Sequence, residues 1–122
     1  MTAFAAVVED NMNKIIKINI ARDFSKYPGC RYKKDCMYSG EAFRDDMLWP
    51  ILEDAIKNSD FVEIDLDGVA GFSASFLDEA FAGLVRKGKI SKKDFNHYVH
   101  FKCVDDPYCI TEIKEYVNAA DN

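Results

Sequence analysis

The chain predicts an α/β fold, a single domain with a central mixed or parallel sheet and helices packed on it. Three observations carry this expectation. Three short segments are rich in β-branched and aromatic residues: Lys14 to Ile20, Phe61 to Leu66, and His97 to Val104. Amphipathic stretches of helical period follow the last two, and a third follows the loop after the first. Turn and cap residues separate them. The resulting β-α-β-α-β-α order implies crossover helices between parallel neighbours. At 122 residues, one domain over 1–122 is expected, large enough for a single core.

Residues 1–12 read either as an edge strand or as a short docked segment, and Lys14 to Ile20 as a strand. Residues 21–39 form a long polar loop carrying Tyr27, Pro28, Gly29, Tyr32 and Tyr38. A loop of this length in a compact domain is often functional. Ser39 is a candidate N-cap for a helix running to about Asn58. Phe43, Met47, Ile51 and Ala55, with Leu48, Leu52 and Ile56 beside them, give that helix one wide apolar stripe, and Pro50 is expected to kink or split it near Leu48–Trp49. Phe61 to Leu66 is apolar enough for a central strand. Gly68 and Gly71 bracket the following turn. Ser75 with Asp78 resembles a capping box, ahead of a stripe of Phe76, Leu77, Ala80, Phe81, Leu84 and Val85. Gly88 marks the stop. Ser91 to Phe95 suggests a helical turn. Val99, Phe101 and Cys103 alternate along the third strand. Asp105-Asp106-Pro107 opens a last helix that buries Ile110, Ile113 and Val117.

Composition narrows the function classes. Hydrophobic residues make up 48%, which excludes a disordered chain. No apolar run reaches the length of a membrane span, and the first residues lack the basic start of a secretory signal. A cytoplasmic protein is expected. The four cysteines, Cys30, Cys36, Cys103 and Cys109, lack C-x-x-C spacing, so free thiols and no metal site are expected, although His97 and His100 lie close to Cys103. The formal net charge of −5 argues against a general nucleic-acid binder. Residues 21–39 nonetheless hold five cations against two carboxylates, a local +3 that leaves −8 elsewhere. Arg22, Arg31, Lys33 and Lys34 are therefore candidate anion-binding residues, and Arg22 and Arg31 suit bidentate capture. Neither a Ser-His-Asp order, nor a P-loop, nor a G-x-G-x-x-G fingerprint is present, so no enzymatic activity and no cofactor are expected.

The most informative stretch is residues 61–84. It places Ser73 and Ser75 at the start of a helix, where backbone N–H groups favour negative charge. Helix capping accounts for either serine, and modification by phosphate is the sharper alternative. The run Ile64-Asp65-Leu66-Asp67-Gly68-Val69, with the serines and helix after it, resembles the STAS domain, a family that includes anti-sigma-factor antagonists. Closer still is a STAS-like family of bacterial and phage-associated domains. Its signature is matched by Pro28-Gly29-Cys30-Arg31-Tyr32 and by Tyr38-Ser39-Gly40-Glu41-Ala42-Phe43-Arg44.

This resemblance implies a non-catalytic regulatory module that docks a protein partner, such as a histidine-kinase-like ATPase. It places the docking surface at the 67–78 junction, with Asp67, Gly71, Ser73 and Ser75 as partner-binding or phosphorylation candidates. The alignment puts Ala74, which cannot be phosphorylated, on the family's acceptor position. The alternative is a small-anion, nucleotide or nucleic-acid-binding domain that uses the basic 22–34 loop.

Overall fold

The computed structural model describes residues 13–121, so the expectation for residues 1–12 lies outside the described residues. Among the described residues, three strands form one sheet in the order β1 (Ile15–Asn19), β2 (Phe61–Asp65) and β3 (Val99–Lys102), all parallel. β2 is central, as its apolar content requires. Ile18 lies opposite Ile64, and Ile64 opposite Phe101. One face of the sheet carries Ile18, Val62, Ile64 and Val99 into the core, and the alternate residues Ile15, Lys17, His100 and Lys102 are exposed. The α/β class with a parallel sheet and surrounding helices is therefore observed.

A single turn, α1 (Ile20–Asp23), follows β1, capped by the Asn19 side chain, which accepts from the Arg22 amide at 2.8 Å. Helix α2 spans residues 40–57. Ser39 caps it as expected, its hydroxyl accepting from the Ala42 amide at 3.0 Å. Its middle, Phe43–Leu48, is π-helical, and Trp49–Lys57 is α-helical. The wide turn takes the Trp49 amide back five residues to the Arg44 carbonyl. Pro50 therefore stands at the start of the α-helical segment, where a missing donor is tolerated. The split expected near Leu48–Trp49 is this change of helix type.

Within the expected wide stripe, the π turn decides which positions are fully buried. The fully buried residues are Phe43, Leu48, Leu52 and Ala55, with Met47 and Ile51 only partly covered. A five-residue step from Phe43 to Leu48 advances the buried face by one position. Helix α3, residues 74–86, repeats the device with a π-helical Asp78–Ala82. Ser73 rather than Ser75 is its N-cap, so the expected capping box is corrected. Gly88 ends the helix region with φ of 70°, as anticipated.

Helix α4 (Lys92–Tyr98) is longer than the expected turn and takes up His97 and Tyr98, so β3 begins only at Val99. The Ser91 hydroxyl caps it, accepting from the Asp94 amide at 3.0 Å. Helix α5 (Tyr108–Ala119) starts at Pro107 and buries Cys109, Ile113 and Val117.

A further correction concerns the thiols. Cys30 and Cys36 form a disulfide, whereas Cys103 and Cys109 are free and buried. The loop folds back on itself: the Gly29 amide donates to the Tyr38 carbonyl at 2.8 Å and the Gly40 amide to Cys30 at 2.9 Å. This brings the two cysteine Cα atoms to 6.1 Å, within bridging range.

Candidate functional site

Because all three strands are parallel, the segments that follow them meet at one carboxyl edge, the usual ligand side of such sheets. The turn after β2 is built by its own aspartates. Asp65 accepts from the Asp67 amide at 2.9 Å. The Asp67 carboxylate in turn accepts from the amides of Asp105 at 2.8 Å and Val104 at 2.9 Å, tying the β2 and β3 ends together. Those backbone donors, Asp105 first, hold the Asp67 carboxyl below the usual carboxylate range. Gly68 takes φ of 90°, a conformation that favours glycine, and this permits the tight turn. Gly71 has open space around its α-carbon.

The Ser73 hydroxyl makes two bonds. It accepts from the Phe76 amide at 3.0 Å and donates to the Gly29 carbonyl at 2.9 Å. The Ala70 amide donates to the Lys26 carbonyl at 2.9 Å. The 67–78 junction and the 21–39 loop are thus one surface, as the shared edge predicts. Ser75 lies within the first helical turn, half-buried, and Ala74 beside it is exposed. Between the junction and α5 lies a cleft of about 210 Å³ lined by Leu66, Val69, Phe72, Cys103, Asp106 and Cys109. Burial, with Asp106 alongside, pushes the Cys109 thiol up to about 12, and burial raises Cys103 too. Neither sulfur is a thiolate nucleophile at neutral pH.

The basic loop is largely neutralised by the protein itself. Arg22 pairs with Asp23 at 2.9 Å in an exposed contact. Arg31 reaches across to α3, donating to Asp78 at 2.6 Å and Glu79 at 3.2 Å. Lys33 pairs with Asp46 at 3.0 Å, and Lys34 lies over the Tyr32 ring at 5.8 Å. Asp78 also accepts from Arg86 at 2.9 Å. Burial raises the Asp78 carboxyl, but Arg86 and Arg31 outweigh it and the net shift is downward. Among the described residues, no group of three or more histidine, cysteine or acidic side chains is placed to hold a metal ion. His97 and His100 instead pack beside the Phe61 ring, with centroids at 5.5 and 5.6 Å.

Beneath this edge sits a charge pair that the residue pattern did not reveal. Arg44, 1% exposed, donates to the Glu79 carboxylate, to the Glu79 carbonyl at 3.1 Å, and to Asp45 at 2.8 Å. Two glycines admit this contact. A Cβ on Gly40 would fall 2.6 Å from the Phe76 carbonyl oxygen, and one on Gly83 would fall 2.5 Å from the Arg44 guanidinium. The sequence masks the pair, because Arg44 is followed by Asp45 and Asp46 and Glu79 is preceded by Asp78, so each reads as part of a solvated charge run. The residues Ser39, Gly40, Phe43 and Arg44 therefore lock α2 onto α3.

Residues 39–108 match the model of a family described as a STAS-like domain of unknown function (DUF4325), and the chain belongs to that family. The match begins at the Ser39 cap and ends at the start of α5, so it contains the 67–78 junction and excludes β1 and the loop before Ser39. No curated protein and no solved structure matches the chain. No helix among the described residues is long and apolar enough to cross a membrane.

Proposed function

We propose that the chain is a non-catalytic regulatory module that docks a protein partner through the 67–78 junction, the partner being a histidine-kinase-like ATPase or another signalling protein. The supporting observation is the exposure of three large apolar side chains around this edge. Tyr27, Val104 and Tyr108 are 69%, 74% and 62% exposed. The Ala70 amide donates to the carbonyl of Lys26, next to Tyr27, the Val104 amide donates to the Asp67 carboxylate, and Tyr108 stands between Asp106 and Cys109, which line the cleft beside the junction. A single exposed apolar residue is ordinary, but three flanking one junction fit the anchor-and-rim pattern of a protein interface. The carboxylates of Asp105 and Asp106 beside them favour a partner with a cationic rim.

Docking without a phosphate is the simpler mode here. A phosphate ester on Ser73 would remove the hydrogen donated to Gly29 and place the oxygens against a carbonyl. Capture from the native host, with and without nucleotide, followed by mass spectrometry tests the proposal. Specific recovery of an ATPase or signalling protein is expected, and recovery of no specific protein would count against the reading. In the alternative of anion or nucleotide binding by the 22–34 loop, the ligand must displace Asp78 and Glu79 from Arg31. A thermal shift with nucleotides or phosphate that Arg31→Glu abolishes would favour that alternative.

A further inference from the structure

We propose that the Cys30–Cys36 disulfide is a redox-controlled clamp on the 67–78 junction. The four cysteines fall into two pairs with opposite surroundings. Burial keeps Cys103 and Cys109 as unreactive thiols. Cys30 and Cys36 are half-buried in a largely exposed loop, where a reductant can reach the bridge. The bridged pair is thus the pair suited to thiol exchange.

The bridge is coupled to the junction through its immediate neighbours. The Cys36 sulfur packs against Gly29, where a Cβ would lie 3.1 Å away. The Gly29 carbonyl accepts the Ser73 hydroxyl. Arg31, the residue after Cys30, forms the ion pairs to Asp78 and Glu79 on α3. Two of the contacts that position the start of α3 therefore originate within two residues of the cross-link. Opening it lengthens the free loop and weakens both contacts without touching the sheet.

The reductant is a dithiol. One of its thiolates attacks a bridge sulfur, the protein S–S bond breaks, and the released cysteine thiolate takes up a proton. The second reductant thiol then resolves the mixed disulfide. Two electrons and two protons pass to Cys30 and Cys36, and the reductant leaves as its own disulfide. That the junction is a docking surface rests on the function proposed above, but the clamp itself can be read on the isolated chain.

The test is amide hydrogen exchange on the full chain, oxidised with glutathione disulfide or reduced with dithiothreitol, alongside Cys30→Ser/Cys36→Ser. Reduction is expected to speed exchange over residues 29–41 and 73–79 about tenfold or more, with Phe61–Asp65 unchanged. The double variant should match the reduced protein and ignore the reductant. Equal exchange in both redox states overturns the proposal. So does loss of protection across β2 to the same degree, or four titratable thiols after oxidation. None of these outcomes depends on whether a partner exists.

Discussion

Ser73 and Ser75 stand two positions apart and do different work. Only Ser73 has the extended backbone of a cap and a hydroxyl engaged on both sides. Ser73→Ala is expected to lower stability by about 1 kcal/mol in urea titration, whereas Ser75→Ala stays within about 0.5 kcal/mol. The residue pattern carried the helix start but not which serine caps it, since both stand before an apolar stripe and only the Gly29 contact separates them. Asp67 offers a second residue-scale check. Its folded carboxyl is held low by the Asp105 and Val104 amides, so its stabilisation is present above the ordinary carboxylate range and is lost as pH falls through the lowered value. Asp67→Asn should therefore be less stable than the native chain at neutral pH. In acid unfolding curves that gap should close below the usual carboxylate range.

Helices α2 and α3 show what periodicity alone misses. Their existence, faces and ends were legible from Ser39, the apolar spacing and Gly88. Their π-helical centres were not, because a π turn displaces the buried face by a single residue and leaves the apolar content unchanged. Phe43 and Leu48, five apart, are the trace it leaves. The two π segments face one another around Arg44 and Glu79, and π turns of this kind recur at functional sites. Here they bring a fully buried guanidinium onto a carboxylate under the candidate surface. Arg44→Met leaves the Glu79 charge without its main buried partner and is expected to cost about 3–5 kcal/mol in chemical denaturation. Gly40→Ala meets the Phe76 backbone and should cost about 1–3 kcal/mol, whereas Gly71→Ala, with nothing within 4 Å, should be near neutral. The disulfide was illegible for a related reason: its spacing matches no motif, and only the folded-back loop brings the sulfurs together.

At the scale of the whole molecule, parallel pairing of the three strands organises the candidate surface. It brings the basic loop, the serine turn and the acidic pair to one edge, where the Asp67 carboxylate accepts from the Asp105 amide, the Ala70 amide donates to Lys26 and the Ser73 hydroxyl donates to Gly29. The loop's positive charge was legible, but its destination was not. Arg31 and Lys33 are spent on Asp78, Glu79 and Asp46, carboxylates that lie far along the chain or on a helix face. The large apolar side chains exposed beside the junction are Tyr27, Val104 and Tyr108, next to the exposed Asp105 and Asp106. On the sheet face away from the core, Lys17 and Lys102 are exposed and offer a control surface.

The docking account is tested most directly by quantitative capture from the native host with three baits: the wild-type chain, Val104→Lys/Tyr108→Lys, and Lys17→Glu. The account predicts a specific protein retained by the wild type and by Lys17→Glu, and reduced at least about tenfold on the double variant, as loss of an interface anchor requires. Equal recovery on all three baits, or loss on Lys17→Glu alone, would contradict it.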